Sequence, residues 1–282
     1  MTLFRTRFAP SPTGRLHLGH AASAFAVWDE AAAIGADVLL RIEDIDRTRC
    51  RPEYETGIYE DLAWLGLAWT GDVRRQSDHF ADYEAVLNQL RARGLVYRCF
   101  LTRREIAARL PAGADPDEGG LVSHPLPPEE EASRLAHQAP FAWRLSLAAA
   151  RRALGQKYDT LTFTVWADGR GLRTVPARPE RFGDVVLARK DTPASYHLAC
   201  CHDDALQEIT HVIRGEDLRE VTSVHTLLQA LMDWPQPVYH FHPLVLGPDG
   251  KKLSKRFGDK SLRDYRAEGM TPQDIRAMTR GG

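Results

Sequence analysis

The run Arg7-Phe-Ala-Pro-Ser-Pro-Thr-Gly-Arg-Leu-His-Leu-Gly-His20 sets two histidines three residues apart, behind a Pro- and Gly-rich turn and ahead of an Ala-rich helical stretch. Residues at i and i+3 share one helix face, and a helix start carries unpaired N–H groups, so both imidazoles and several backbone donors aim at one anion. More than two hundred residues later, Lys251-Lys-Leu-Ser-Lys-Arg256 follows a Gly-Pro-Asp-Gly turn. Lysines on such a turn suit closure over a polyphosphate. The two segments together predict an ATP site, with histidines answering charge that builds on an α-phosphate.

Positioning these groups requires alternating strands and helices, the pattern of a parallel sheet. A strand over Thr6–Ala9 leads through the Pro-Gly turn to a helix from about Leu18, which Gly35 ends as a C-cap. Val38–Ile42 reads as a buried strand that delivers Glu43, Asp44 and Asp46 to its carboxyl end, where open α/β sheets bind ligands. Pro52 opens a helix with Tyr54, Ile58, Leu62 and Leu65 on one face, and Ser77 is expected to cap a further helix running to Gly94.

After Tyr97 the pattern changes. Thr102-Arg-Arg-Glu105 reads as a capping box, and residues 111–128, with five prolines and three glycines, read as a loop. Strands follow at Phe141–Leu147 and Thr160–Trp166, the second ending at Asp168-Gly169, a hairpin signal. The sheet pattern resumes with Asp184–Arg189, Ser195–Cys201 and His211–Arg214. A helix carrying Val221, Val224, Leu227, Leu228 and Leu231 comes next, then a strand over Tyr239–Leu246 and a helix from Leu262. The expected division is a catalytic unit of residues 1–94 and 191–246, an inserted α+β module of 95–190, and a lysine loop with a helical tail over 247–282.

The 282 residues carry a net charge of −1, which does not by itself mark a nucleic-acid binder. Residues 251–282 are different, with nine Lys and Arg against four acids, a segment able to track phosphates. No apolar run approaches the roughly 20 residues of a membrane span, and the first residues lack the apolar core of a signal peptide. A cytoplasmic, monomeric protein is expected. Cys50, Cys99, Cys200 and Cys201 have no C-x-x-C spacing and read as reduced thiols.

The N-terminal run, Arg41-Ile-Glu-Asp-Ile-Asp-Arg-Thr-Arg49, Ser195-Tyr-His-Leu-Ala199, Val212-Ile-Arg-Gly-Glu-Asp217 and Lys252-Leu-Ser-Lys-Arg256 stand in the order found in class I glutamyl-tRNA synthetases. The chain resembles the catalytic core of that family over nearly its whole length. The resemblance implies a Rossmann-like parallel sheet interrupted by the inserted module, and activation of glutamate to glutamyl-adenylate by ATP with Mg²⁺. It also implies that Arg7, Phe8, Ala9, Pro10, Ser11, Glu43, Tyr196 and Arg214 contact glutamate. Thr13, Gly14, His17, His20, Lys252, Ser254 and Lys255 would contact ATP, with His17, His20 and Lys255 as the catalytic set. Glutamate carries two carboxylates and one ammonium; Arg7 and Arg214 suit the former as planar forks, and Glu43 suits the latter.

Three departures refine the expectation. The sequence ends about thirty residues after the lysine signature, without the helical anticodon-reading region of the full synthetases. In this it resembles the glutamyl-queuosine tRNA(Asp) synthetase subfamily, which attaches glutamate to queuosine in an anticodon loop, where an exposed modified base is reachable. Two alternatives stay open: a shortened enzyme charging the 3′ end of tRNA(Glu), and a catalytically silent tRNA-binding module. The second departure is that Cys99 lacks the Cys and Tyr partners with which many subfamily members hold zinc, so no structural zinc is expected. The third is Cys200, where the full synthetases commonly have Asn; a thiol is a weaker hydrogen-bond partner, so weaker glutamate binding is expected.

Overall fold

The computed structural model describes residues 4–110, 120–167, 171–189, 192–245 and 260–280. The lysine signature, including Lys252, Ser254 and Lys255, and the Asp168-Gly169 turn lie outside the described residues.

Strand β1 (Arg5–Phe8) leads to helix α1 (Leu18–Ile34), strand β2 (Asp37–Ile42), helix α2 (Pro52–Trp64) and the short strand β3 (Arg74–Arg75). β1 and β3 flank β2, both parallel to it. Gly35 takes φ +68° and closes α1, a conformation in which a side chain is strained. Helix α3 (Phe80–Ala92) then leads to strand β4 (Val96–Cys99). Ser77 does not cap this helix, whose N-cap is His79. Its backbone N–H and hydroxyl both donate to the Asp44 carboxylate, at 2.8 and 2.6 Å, because a buried carboxylate at a strand end outbids solvent for two short-range donors.

Helix α4 (Arg103–Ala107) has the expected Thr102/Glu105 capping box. Helix α5 (Pro128–Ala136), strand β5 (Ala142–Leu145) and helices α6 (Leu147–Leu154) and α7 (Gln156–Asp159) follow. Strands β6 (Thr162–Ala167) and β7 (Gly171–Pro176) form an antiparallel pair, and β8 (Val186–Arg189) pairs antiparallel with β5, which also pairs with β4. β6 hydrogen-bonds in parallel to β10 (Val238–His242), which pairs in parallel with β9 (His211–Gly215). The sheet of β9 and β10 therefore takes two strands from within residues 95–190.

The segment Ser195–Cys201 is helical rather than extended. Ser195 Oγ accepts the Leu198 N–H, and helix α8 (Tyr196–Leu206) runs on with Leu198, Ala199, Cys201 and the next turn packed inside. Adjacent buried Ala, Cys and Cys suit either period, and the serine cap decides for the helix. Helix α9 (Thr222–Met232) carries the expected apolar face. At the end, α11 (Pro272–Arg280) packs on α1 after the short helix α10 (Leu262–Ala267), and Leu262 and Ile275 are buried in one core with Ala21, Phe25 and Leu40. A second core joins Tyr83 and Leu90 of α3 to Leu145, Leu187, Leu198 and Leu227.

The parallel sheet of β1–β3 and the mixed sheet of β6, β7, β9 and β10 meet edge to edge, where Thr210 N donates to the Arg5 carbonyl at 3.0 Å and Arg5 N donates to Thr210 Oγ1 at 2.9 Å. This seam brings the carboxyl ends of β1, β2 and β9 to one place.

Candidate active site

A cavity of about 740 Å³ opens at that place. Its wall takes Arg7 and Phe8 from the end of β1, Ala9, Pro10 and Thr13 from the following turn, and His17 and His20 from the start of α1. Glu43 enters from beyond β2, Tyr196 from the first turn of α8, and Arg214 from β9. One backbone bond explains part of this convergence: Glu43 N donates to the Pro10 carbonyl at 3.1 Å, tying the end of β2 to the turn. Ser11 lines a second cavity instead, and Gly14 is in neither wall.

The histidines are held by the helix start they occupy. His17 is the N-cap, its Nδ1 accepting the Gly19 N–H at 3.1 Å, while His20 Nδ1 accepts the His17 N–H at 3.2 Å. An acceptor at Nδ1 leaves the proton of each neutral ring on Nε2. The rings lie 3.9 Å apart between centroids, and Gly19 makes room for them: a Cβ there would stand 3.0 Å from the His17 ring. Ser261 bridges to His17, and Leu262 N donates to the Leu16 carbonyl, so the chain returns to this turn just after residues 251–259. Leu244 and Val245, just before the lysine segment, line the same cavity.

Both arginines are nearly enclosed. Arg7 donates from Nε to Asp204 Oδ1 at 2.9 Å and from Nη2 to Asp204 Oδ2 at 3.5 Å and Cys200 Sγ at 3.8 Å. Asp204 Oδ1 also accepts from Arg41 Nη2 at 2.7 Å, and Arg41 has 0% exposure. Beside it, Asp203 accepts from Arg74 Nε, Gln76 Nε2 and Tyr83 OH at 2.9, 3.0 and 2.8 Å. Burial alone would raise both carboxyls, but the neighbouring charges and hydrogen bonds prevail and hold them below their ordinary range.

Arg214 donates to Thr222 Oγ1 and, at 3.2 Å, to His225 Nδ1, and its guanidinium lies 5.0 Å from the Tyr239 ring centre. Its Nε is buried without a hydrogen-bond partner among the described residues. A desolvated orphan donor in a cavity wall is a place for an anion. Glu43 has the opposite character. Burial pushes its carboxyl up to about 7, against the pull of Arg41 and Arg7.

The second cavity, about 700 Å³, meets the first at Thr13, Glu43 and Tyr196 and extends to Cys99, Arg103, Arg144 and Arg189 of the central stretch. Among the described residues no group of three His, Cys, Asp or Glu is arranged to hold a metal ion. Cys200 is buried between Arg7 and Asp204, the latter 3.6 Å from its sulfur, and burial with the Asp204 charge pushes its thiol up to about 12. It touches an arginine of the cavity wall and is not itself in that wall.

Sequence reasoning missed Arg41, Asp203, Asp204, His197 and His225. The first three had a signal: two arginines on buried strands require carboxylates, and Asp203 and Asp204 come two and three residues after the apolar run Leu198–Cys201. The histidine pair had none, being 28 residues apart.

The family model for class I tRNA synthetases (E and Q), catalytic domain, matches residues 4–281. A "Glutamyl-Q tRNA(Asp) synthetase" of Rhodobacter capsulatus is 45% identical over 277 residues, 97% of this chain and 98% of that protein. "Glutamate--tRNA ligase 2" of Roseobacter denitrificans is 38% identical over 96% of this chain, which spans 55% of the ligase. Among solved structures, a glutamate tRNA ligase from Elizabethkingia meningosepticum in complex with its amino acid superposes with a TM-score of 0.74 at 29% identity. That match covers 98% of this chain and 60% of the ligase.

Proposed function

Because the chain belongs to the class I tRNA synthetases (E and Q), in their catalytic domain, we propose that it activates L-glutamate with ATP and transfers the glutamyl group to queuosine in the anticodon loop of tRNA(Asp). The observation that carries this reading is the convergence of Arg7, Glu43, Tyr196 and Arg214 on one cavity with His17 and His20. Two cations and one anion match the two carboxylates and one ammonium of glutamate. The buried, unpartnered Nε of Arg214 supplies a donor for a carboxylate. Arg7 is already bound side-on by Asp204, so its remaining edge is directed and its charge is partly balanced.

ATP enters as its Mg²⁺ complex. A glutamate carboxylate oxygen attacks the α-phosphorus, and the bond to the pyrophosphate oxygen breaks. His17 and His20, with Nε2 protonated, donate where charge builds, and such fixed donors are worth several kcal/mol of barrier. Thr13, in the cavity wall, belongs to the nucleotide site with Lys252, Ser254 and Lys255 of the lysine segment, and Gly14 serves it only as the neighbour of Thr13 in the turn. Support for the latter is that the chain on both sides of the segment is at the cavity. A hydroxyl of the acceptor then attacks the glutamyl carbonyl carbon, releasing AMP and one proton.

The choice of acceptor rests on the 45% identical relative, matched over 98% of its length. A second reading, charging of tRNA(Glu) at its 3′ end, rests on the glutamate–tRNA ligases at 38% identity. Labelled glutamate offered with tRNA(Asp) bearing queuosine, tRNA(Asp) bearing guanosine and tRNA(Glu) separates them.

A further inference from the structure

We propose that His197 is a binding residue for the glutamyl acceptor, a fixed N–H donor to an oxygen of the incoming nucleoside, oriented by His225 and Arg214. The inference rests on the transfer reaction proposed above and adds a residue to it.

The geometry sets the protons. Arg214 Nη1 lies 3.2 Å from His225 Nδ1, and a guanidinium only donates, so His225 Nδ1 is the acceptor and its ring is neutral. The proton of His225 is then on Nε2, which lies 3.3 Å from His197 Nδ1. His225 donates there, and His197 in turn carries its proton on Nε2. One arginine thus fixes the tautomers of two rings in series, anchored at its other end by Thr222.

His197 lies on the second cavity, and no described residue accepts from its Nε2. Tyr196, next to it, faces both cavities and lies 5.5 Å from the His225 ring, so the series runs along the partition between the glutamate site and the second cavity. An acceptor that reaches an activated glutamate from the second cavity passes His197.

The groups around His197 keep it neutral. Arg214 on β9, His225 on α9, and Arg144 and Arg189 across the cavity on β5 and β8 are cationic or neutral, and Tyr196 is un-ionised. Two acids face this space, Glu43 at the junction of the cavities and Asp46, which is paired with Arg49 at 2.6 Å, and Arg103 adds a further cation to the wall. Burial, with Arg214, lowers the His197 ring to about 4. His197 therefore donates at all working pH values, and it is no general base, because the nitrogen facing the cavity already holds the proton.

The test compares His197→Phe with His197→Gln, whose amide nitrogen reaches about as far as Nε2. ATP–pyrophosphate exchange without tRNA should be within twofold of the parent in both. Transfer of glutamate from preformed adenylate to queuosine-bearing tRNA(Asp) should fall about tenfold or more in His197→Phe, the scale of one hydrogen bond, and be substantially restored in His197→Gln. Nitrogen-15 NMR of the histidine rings in the intact protein should show His197 and His225 as Nε2–H tautomers with no titration between pH 5.5 and 8. Undiminished transfer in His197→Phe, an Nδ1–H tautomer or titration near the ordinary histidine value overturns the proposal. A parent enzyme that exchanges pyrophosphate but labels no queuosine tRNA refutes the acceptor reading instead, and the NMR result still decides the tautomer.

Discussion

Asp204 grips Arg7 across the seam between α8 and β1, with 2.9 Å from Oδ1 to Nε, while the same oxygen stands 2.7 Å from Arg41 Nη2. One carboxylate thus serves two buried cations, only one of which reaches the cavity. Removing its charge leaves Arg7 without its carboxylate partner and Arg41 with only Asp203, 3.9 Å from its Nε.

Asp204→Asn should therefore destabilise the protein by about 3–5 kcal/mol, the range for breaking a buried ion pair from one side. Urea unfolding measures it, and a loss below 1 kcal/mol would show that the arginines find other partners. The pH dependence has a definite sign. The native Asp203 and Asp204 carboxyls are held below their ordinary value, so their contribution is complete above the unfolded value of about 4 and disappears as pH falls below it.

Glu43 should give the opposite linkage. Its carboxyl titrates at about 7 in the folded protein and near 4.3 when unfolded, so it costs stability progressively as pH rises between those values. Binding the ammonium of glutamate requires the ionised form. The KM for glutamate should rise as pH falls below about 7, with proton release on binding at pH 6.5, visible by calorimetry in buffers of different ionisation heat. Glu43→Gln should bind glutamate more weakly and lose both effects; a pH-dependent KM in that variant would assign the titration elsewhere.

Gly19→Ala separates stability from activity. Alanine is a better helix former than glycine by up to about 1 kcal/mol, yet its Cβ would stand 3.0 Å from the His17 ring. Displacing His17 from its cap should lower pyrophosphate exchange by about 100-fold, the range for losing one oriented donor, while the loss of the cap offsets the gain in helix propensity and leaves the melting temperature little changed. Full activity would mean that the ring position is unimportant.

Cys200 acts through Arg7. Its sulfur is 3.8 Å from Arg7 Nη2, and an Asn oxygen at this position would accept that hydrogen bond more strongly. Cys200→Asn should lower the KM for glutamate a few-fold with little change in kcat. An unchanged or higher KM removes this position from the argument.

Local signals carried much of the fold. Gly35 in the left-handed region, Pro52 at a helix start and the Thr102/Glu105 capping box are recognised from one or two residues each, and all stand where expected. Ser77 and Ser195 show where local reading stops: the same residue type anchors a carboxylate in one place and caps a helix in the other, and only the distant Asp44 or the buried run beyond Ser195 tells which. The site divides similarly. Arg7, Glu43, Tyr196 and Arg214 came from the motifs of the family resemblance, and the charges of Arg7, Glu43 and Arg214 fit glutamate, whereas the groups that hold the arginines, Asp204, Thr222 and His225, come from helices whose approach depends on tertiary packing.

The most direct test incubates the protein with ATP, Mg²⁺ and labelled glutamate, first without RNA and then with each of the three tRNAs. The account predicts pyrophosphate exchange without RNA and label only on queuosine-bearing tRNA(Asp). Label on tRNA(Glu) alone, or no exchange at all, would contradict it.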